Sequence, residues 1–412
     1  MNLRIPGPTP LPPEVLQALG RQMISHRSGE YRELHQEVAA GVQKFFQTKN
    51  DVLLFTSSGT GTMEAAVVNT LSPGDKVLGV TIGIFGDRFM DVARSHGIDL
   101  TVLKFPMGQA ADPEAVAEAF AKIPDCKAIL ITHNETSTAI ANDLAAITKA
   151  VRVRAEVGPP EVESGGAYRG SPFAAHPSSN IGPVTFSLHT LRDGARKDSP
   201  RRAALSFPLF LVDAVSSMGN VDIPVDALGL DVVFASSQKA WMAPPGIAMV
   251  SVSPKAWEAS KTAKCTRYYF DFRHMKKYHD RGETPETPAI STLFALQAAL
   301  KLMFTRGVRE TFAYYRDLAA YTRKTLADHG FVLFGDQFHA SSTVTACLVP
   351  DGVTDEDFRG LLKKKYGVIL SGGKGEVKGS IVRIAHMGLV GREDIDKAVE
   401  AMASARSELA RR

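Results

Sequence analysis

Cysteine is scarce in this sequence, with three residues, Cys126, Cys265 and Cys347, among 412. No two of them stand at the spacing of zinc ligands, and their odd number argues against a framework of disulfides. The 11 histidines include no pair at helical ligand spacing with an acidic partner. We therefore expect no metal site, and a reducing cytoplasm is the expected compartment.

Long apolar runs and an excess of one charge are also missing. No apolar run reaches the ~18 residues that a membrane span needs, and the proline-rich start lacks the pattern of a secretory signal. Lys and Arg number 48 against 44 Asp and Glu, and they are scattered. We therefore expect neither nucleic acid nor a membrane as a partner. The remaining composition is typical of a globular protein of about two to three domains.

Strand-like and helical segments alternate from residue 51 onward. The strand candidates are DVLLFTSS, DKVLGVTIG, AILITHNE, LFLVDAVSS, DVVFASSQK and GIAMVSVS. This alternation predicts an α/β fold with a mostly parallel sheet covered by helices on both faces. We predict an extended, proline-rich N-terminal arm over residues 1–20 and a large domain over residues 21–265. A smaller α+β domain should follow over residues 266–412, with a long helix from about Pro288.

Residues 153–206 do not fit this plan. They are rich in Pro, Gly, Ser and Arg and have little periodicity. A structureless segment of this length is unusual inside a compact domain, although a surface excursion is tolerated because loop-closure entropy grows slowly with length. We predict an atypical insertion that is disordered and unnecessary for activity. A misread stretch of the gene is the alternative.

Three predicted strand ends carry residues that could do chemistry, and ligands of open α/β sheets bind at such ends. Ser58, Gly59 and Thr60 follow DVLLF and lead into a helix whose free amides could hold an anion. A carboxylate, Asp213, follows LFLV. A lysine, Lys239, follows DVVFA and precedes apolar residues that could desolvate its amine. Taken singly, each has an ordinary explanation: a tight turn, a capping aspartate or a surface lysine.

Together, the three features match the needs of pyridoxal 5'-phosphate. The first would anchor the phosphate, and the carboxylate would keep the pyridine nitrogen protonated. The lysine would form a Schiff base and then carry the α-proton of the substrate. We therefore predict pyridoxal 5'-phosphate as the cofactor, with Lys239 and Asp213 as the catalytic residues.

The sequence also resembles the class V aminotransferases, nearest to the alanine–glyoxylate and serine–pyruvate enzymes. Apart from residues 153–206, the matching stretches cover nearly the whole chain: IPGPTPLPPEV, SSGTGTMEAAVVN, GIFGDR, THNETST, LVDAVSSMG, SSQKAWMAPPG, TPAIS and GGKGEVKGSIVRIAHMG. The separation of Asp213 from Lys239 (239 − 213 = 26) fits the family. The resemblance implies the fold type I of pyridoxal-phosphate transferases, with a seven-stranded sheet. It also implies amino transfer from a small L-amino acid, alanine or serine, to glyoxylate or pyruvate.

The resemblance further implies a role for individual positions. Contacts with the cofactor are implied for Ser58, Gly59, Thr60, Phe85, Thr136, Gln238 and Thr287. Among these, Phe85 would stack on the ring, and Thr287 would reach the phosphate of a neighbouring subunit, which implies a homodimer with shared active sites. Arg383 would clamp the substrate carboxylate through its planar fork.

The N-terminal region should also contribute to the substrate pocket, through His26, Arg27 and Ser28. Two positions depart from the family. Glu286 stands where many relatives have an aromatic or neutral residue, and it would weaken cofactor binding if it faced the partner's phosphate. Ala139 replaces the glycine that usually closes NETSTG, a change that matters only if this position needs a positive φ.

Two other functions remain open at this point. A cysteine desulfurase-like lyase would need a nucleophilic cysteine, but Cys347 lies in a strand-like pattern and Cys265 has no helpers. Relatives of that type also tend to have histidine before the lysine, where this chain has Gln238. A non-catalytic relative, disabled by the insertion and Glu286, is the second alternative. Failure to retain cofactor would favour it.

Overall fold

The computed structural model describes residues 1–157 and 207–411 of the chain. The helices are α1 (Pro13–Leu19), α2 (Gly29–Phe46), α3 (Gly59–Thr70), α4 (Ile84–Ser95), α5 (Pro113–Ala121), α6 (Leu144–Val157), α7 (Val225–Leu228), α8 (Pro254–Thr262), α9 (Phe272–His279), α10 (Ile290–Arg306), α11 (Val308–Asp328), α12 (Asp355–Leu361) and α13 (Arg392–Leu409). The strands are β1 (Asn2–Leu3), β2 (Asp51–Ser57), β3 (Lys76–Thr81), β4 (Asp99–Lys104), β5 (Ala128–Thr132), β6 (Asn134–Glu135), β7 (Ile140–Ala141), β8 (Leu209–Asp213), β9 (Val232–Ser236), β10 (Gly246–Val252), β11 (Val344–Leu348), β12 (Val368–Ile369), β13 (Ser371–Gly372) and β14 (Ile381–Ala385).

A seven-stranded sheet with the order β2-β10-β9-β8-β5-β3-β4 forms the centre of the molecule. Strand β10 is antiparallel to both its neighbours, and the other six strands run in one direction. The predicted mostly parallel α/β sheet is therefore confirmed, and each of the six strand candidates forms a strand. Strand β4 was not predicted, because it lies at the sheet edge with partly exposed side chains and lacks a continuous apolar run.

Two apolar layers cover the sheet. On one face, residues such as Ile131 and Val212 pack with helices α2, α6 and α10. On the other face, neighbours in the same strands, such as Leu130 and Leu211, pack with helices α3, α4 and α9. Successive strand residues point to opposite faces, so a strand buried on both sides is apolar throughout. This explains why these strands could be identified from sequence.

The C-terminal part has its own core. A three-stranded sheet, β11-β14-β13, packs with helices α11, α12 and α13 around a separate apolar cluster that includes Leu318, Phe358 and Ile395. Helices α9 and α10 follow the predicted boundary at residue 265, yet their apolar side chains belong to the layers on the large sheet. We therefore propose that the second domain begins nearer residue 307, where α10 ends.

The N-terminal arm is only partly extended. Strand β1 pairs in parallel with β12, but residues 13–19 form helix α1, so the prediction of an extended chain over residues 1–20 is wrong there. Proline suits the first position of a helix because the amide it lacks would have no partner there. Val15 and Ala18 are buried where α1 packs on α10.

The predicted insertion also begins too early. Helix α6 continues to Val157, and Ala155 within it is buried, so residues 153–157 are helical rather than structureless. The apolar spacing of this helix runs on through Val151 and Ala155, both of which are buried. Residues 158–206 lie outside the described part of the chain. Among the described helices, none combines the length and the apolar character needed to cross a membrane.

Candidate active site

The carboxyl ends of the parallel strands bring the predicted residues to one edge of the sheet. Ser58 follows β2, Phe85 follows β3, and Thr136 follows β5. Asp213 ends β8, and Lys239 follows β9. Strands β5, β8 and β9 are consecutive neighbours in the sheet. Thr136, Asp213 and Lys239 therefore come from adjacent strands.

Lys239 is half-buried beneath the N-terminal segment. Its Nζ donates a hydrogen bond to the backbone carbonyl of Pro6. Burial lowers the pKa of Lys239 to about 8, and nearby cations act in the same direction, while Asp213 raises it. More of this amine is therefore neutral near physiological pH than of an ordinary lysine, which favours its use as a nucleophile.

Asp213 is buried at the end of β8, with 4% of its surface exposed. Its Oδ1 accepts a hydrogen bond of 2.9 Å from the Val215 amide, and its Oδ2 accepts a long one of 3.4 Å from the Thr132 hydroxyl. The pKa of Asp213 is raised to about 6, mainly by burial and also by the charge of Glu135, while the hydrogen bond from Val215 acts in the opposite direction. The carboxylate retains acceptor capacity, so a cationic N–H donor would bind well here.

Helix α3 begins at Gly59, because Ser58 before it is extended, with φ −91° and ψ 167°. The Ser58 side chain makes no capping hydrogen bond. Within residues 1–157 and 207–411, no group accepts a hydrogen bond from the amides of Gly59 or Thr60. A Cβ atom at Gly59 would lie 2.6 Å from Val215 Cγ2, so only glycine fits at the start of this helix. Free amides at a helix N-terminus form an anion site.

Glu135 lies between the predicted residues but was not assigned a role from the sequence. Its Oε2 accepts hydrogen bonds from the amides of Phe85 (2.8 Å) and Gly86 (3.2 Å), and its Oε1 accepts one from the Ser137 amide (2.9 Å). The side chain is fully buried, and burial raises its pKa. The available sequence signal was the same as for Asp213: a carboxylate just after a buried strand.

Phe85 lies half-buried in the first turn of α4, where two cations face its ring. The Arg88 guanidinium carbon lies 5.0 Å from the ring centroid, and Lys374 Nζ lies 5.6 Å from it. Arg88 also donates a hydrogen bond of 3.5 Å to Thr60 Oγ1, at the start of α3. Neither cation was singled out from the sequence.

Arg383 projects from β14 and joins the second domain to this edge. Its Nε and Nη2 donate to the Gly372 carbonyl at 2.9 and 2.7 Å, and its Nη1 donates to the Thr136 carbonyl at 2.5 Å. A guanidinium has five N–H donors, so two remain for a ligand (5 − 3 = 2). Burial lowers the pKa of Arg383 to about 10, which still leaves it charged at neutral pH.

The remaining predicted positions are less closely joined to this group. Gln238 is half-buried, and its side-chain oxygen accepts a hydrogen bond of 2.5 Å from the Ser236 hydroxyl. Thr287 is exposed and forms no hydrogen bond within the described residues. Glu286 is half-buried. Burial raises the pKa of the Tyr269 phenol, and the nearby charge of Glu286 raises it as well.

Ala139 adopts φ 61°. The position at which relatives have the last glycine of NETSTG therefore has a backbone conformation that disfavours a side chain.

The three residues at the N-terminal end of α2 have different surroundings. Arg27 donates to the carbonyls of Thr284 (2.7 Å) and Pro285 (3.0 Å), so it holds the segment that leads to Thr287. Ser28 caps α2 by accepting from the Tyr31 amide, which is a structural role. His26 forms no hydrogen bond with a described residue.

The cysteines do not suit a nucleophile. All three are buried and free. Burial raises the pKa of Cys347 to about 12, and it also raises that of Cys265. Because the thiolate is the reactive form, neither residue supports a cysteine desulfurase-like lyase.

The family model described as Aminotransferase class-V matches residues 1–157 and 201–394. The chain is a class V aminotransferase. Its cofactor is accordingly pyridoxal phosphate, and the unmatched residues 158–200 lie within the segment taken as an insertion.

Three relatives illustrate the range of names in the family. The aminotransferase is 37% identical to the soluble hydrogenase small subunit of Synechococcus sp., over 99% of this chain and 93% of that protein. It is 30% identical to the serine–glyoxylate aminotransferase of Methylorubrum extorquens, over 94% of this chain and 86% of that protein. Among solved structures, it is similar to the subgroup IV aspartate aminotransferase of Thermus thermophilus, with a TM-score of 0.80 and 27% identity. The match covers 99% of each chain.

The residues at the sheet edge of the aminotransferase fit pyridoxal phosphate. The free amides of Gly59 and Thr60 offer donors to a phosphate. Asp213 can accept a further hydrogen bond, and the desolvated amine of Lys239 has the lowered pKa that bonding to an aldehyde requires. The donor set and the charges therefore agree with the cofactor that family membership implies.

Proposed function

We propose that this aminotransferase moves an amino group between a small L-amino acid, alanine or serine, and a small 2-oxo acid, glyoxylate or pyruvate. The observation that carries this proposal is the placement of Lys239, Asp213 and the free α3 amides at one sheet edge, with Arg383 joined to it through Thr136. The serine–glyoxylate aminotransferase among the relatives supports this choice of substrates.

The cofactor would be held at both ends. Ser58, Gly59 and Thr60 would bind its phosphate through backbone amides and hydroxyls, with Gln238 adding a side-chain contact. Asp213 would accept a hydrogen bond from the pyridine nitrogen and keep it protonated. Phe85 would stack on the ring, and Thr136 would lie near the ring hydroxyl.

The reaction would use Lys239 and Arg383 at different stages. When bound, pyridoxal phosphate stabilises the electron pair left at the substrate α-carbon. Arg383 would bind the substrate carboxylate with its two remaining N–H donors, which orients the α-hydrogen. Lys239 would hold the cofactor through Nζ and, once released, accept the α-proton there. A pKa of about 8 suits this base, because an amine near the working pH both accepts and returns a proton.

We further propose a cytoplasmic homodimer with shared active sites. The exposed hydroxyl of Thr287 has no hydrogen-bond partner among the described residues, so it is available to a second subunit. Arg27 and Glu283 hold the preceding segment through an ion pair of 3.1 Å. The three free, buried cysteines are compatible with a reducing compartment.

The absorption spectrum of the purified enzyme tests the function directly. We expect a visible cofactor band that disappears on addition of L-alanine or L-serine and returns with glyoxylate or pyruvate. The Lys239→Ala variant should lack this response, whereas Lys149→Ala, at an exposed site on α6, should keep it. A band that no amino acid changes would contradict the proposed reaction, and failure to retain any cofactor would favour a non-catalytic relative.

A further inference from the structure

Asn134 lies beside the active-site edge and is almost completely buried, with 3% of its surface exposed. It precedes Glu135 in β6 and stands two positions before Thr136, whose carbonyl accepts a hydrogen bond from Arg383. A carboxamide offers two N–H donors on one nitrogen. Both donors of Asn134 are used, and their acceptors belong to different domains.

The first acceptor is Ser216, three residues after Asp213. Asn134 Nδ2 lies 2.7 Å from Ser216 Oγ. The Ser216 hydroxyl donates its own proton to the backbone carbonyl of Asn134 at 2.9 Å, so it must accept from the side-chain amide. The loop that begins at Asp213 also holds the carboxylate of that residue, through the Val215 amide. The two bonds with Ser216 therefore tie Asn134 to the loop that positions Asp213.

The second acceptor is Thr343, which is fully buried just before β11 in the second domain. Asn134 Nδ2 donates to Thr343 Oγ1 at 2.9 Å. The Thr343 carbonyl accepts from the His386 amide, also at 2.9 Å. Farther along the same strand pair, Ala346 lies opposite Arg383. Paired strands keep a fixed spacing, so the position of Thr343 sets the position of Arg383.

The side-chain nitrogen of Asn134 thus joins the loop of Asp213 to the strands that carry Arg383. In the proposed reaction, Asp213 holds the cofactor ring and Arg383 binds the substrate carboxylate. The substrate α-carbon must then lie at a defined place over the cofactor, and a misplacement of about 1 Å can cost roughly a hundredfold in rate. A direct tether between the two sites would control this spacing.

Other hydrogen bonds cross the same interface but end away from the Asp213 loop. The Ala141 amide donates to the His339 carbonyl, and the Ser341 amide donates to the Ala139 carbonyl, each at 2.9 Å. Backbone bonds of this kind do not depend on the Asn134 side chain. Loss of the Asn134 tether should therefore leave the two domains joined but able to shift relative to each other.

We propose that Asn134 is a positioning residue that sets the distance between Asp213 and Arg383. Its two N–H donors hold the cofactor site and the carboxylate site in one arrangement, and its effect is on the binding and orientation of the substrate rather than on proton transfer. This inference rests on the proposed function, because it assumes that Arg383 binds the substrate carboxylate.

Two reagents test the arrangement in the holoenzyme without any transfer of an α-proton. Hydroxylamine and aminooxyacetate both react with the aldehyde carbon of bound pyridoxal phosphate, and only aminooxyacetate carries a carboxylate. The loss of the visible cofactor band gives their rate constants. We expect Asn134→Ala and Thr343→Val to lower the ratio of aminooxyacetate to hydroxylamine rate constants about tenfold, which corresponds to 1.4 kcal/mol. Thr343→Ser keeps the hydroxyl and should retain the ratio of the unaltered protein.

Thr322→Val is the matched control, because Thr322 is a fully buried threonine of the second domain whose hydroxyl donates within its own helix, to Leu318 at 2.8 Å. It should leave the ratio unchanged. An unchanged ratio in Asn134→Ala or in Thr343→Val would overturn the inference, and so would an equal fall in Thr322→Val. If the unaltered protein gave the same ratio as free pyridoxal phosphate, Arg383 would not bind the carboxylate, and the proposed function would fail as well.

Discussion

The side-chain amine of Lys239 donates a hydrogen bond to the backbone carbonyl of Pro6, across a sequence separation of 233 residues. Two further bonds hold the same contact: the Thr9 amide donates to the Gln238 carbonyl at 3.1 Å, and the Thr9 hydroxyl donates to the Lys239 carbonyl at 3.0 Å. The N-terminal segment therefore covers the lysine to which the cofactor is expected to bond. Its backbone therefore belongs to the proposed active site.

Gly7→Ala should weaken the binding of pyridoxal phosphate. A Cβ atom at Gly7 would lie 2.6 Å from Lys239 Cδ, and its φ of 86° disfavours an L-residue by about 1–2 kcal/mol. We expect the Kd for the cofactor to rise about tenfold, measured by quenching of tryptophan fluorescence. Gly74→Ala is the matched control, because Gly74 has φ 84° and nothing within 4 Å of its added Cβ. Equal effects of the two variants would exclude the contact with Lys239 as the cause.

The rate of cofactor attachment should depend on the ionisation of Lys239. Only the neutral amine attacks an aldehyde, and the pKa of this amine is lowered to about 8. We expect the rate at which the visible band forms, after apoenzyme and pyridoxal phosphate are mixed, to rise with pH and to level off above about 8. Asp213→Asn should move the midpoint to lower pH, since the Asp213 charge raises the pKa of the lysine. A midpoint near that of an ordinary lysine would contradict the desolvation of Lys239.

Glu135→Gln should destabilise the protein. The carboxylate accepts from the amides of Phe85, Gly86 and Ser137, and a glutamine can present an acceptor on only one side. An N–H group would then face another N–H group in a buried site, at a cost of about 1–3 kcal/mol in the free energy of unfolding. Denaturant unfolding of the apoenzyme measures this loss. Glu118→Gln, at an exposed position in α5, should have almost no effect, and similar stability of both variants would mean that the buried carboxylate is dispensable.

Ala139→Gly should stabilise the protein. Ala139 has φ 61°, where an L-residue costs about 1–2 kcal/mol, and the greater freedom of glycine in the unfolded chain offsets part of the gain. We expect the free energy of unfolding to rise by about 0.5–1 kcal/mol. Ala119→Gly in helix α5 is the control, and it should lower the same free energy by about 1 kcal/mol. If Ala139→Gly lowered the free energy of unfolding as much as Ala119→Gly, the result would contradict a positive φ at residue 139.

The elements that could be predicted from sequence are those whose burial is uniform. Strands β5, β8 and β9 are buried on both faces, so each is a short apolar run that ends in polar residues. Strand β4 is partly exposed and escaped prediction, and helix α1 was obscured by the prolines around it. The positions of Asp213 and Lys239 followed from the rule that strand ends meet at one edge of a parallel sheet.

The residues that the prediction missed are those whose importance depends on distant partners. Glu135 accepts hydrogen bonds from the amides of Phe85 and Gly86, across 50 and 49 positions of the sequence. Arg88 and Lys374 meet at one aromatic ring from different domains. No local periodicity marks such pairs, because periodicity reports only which face of an element is buried.

The sequence by itself determined the family and the mostly parallel sheet, and it predicted that Lys239 and Asp213 lie at strand ends on one edge of that sheet. These depend on local patterns and on motifs that persist along the chain. The tertiary structure decided how the pKa values of these residues are shifted and what covers their side chains. The pKa of a side chain is set by the water that folding removes and the charges that folding brings near, and both depend on contacts between residues that are far apart in the sequence.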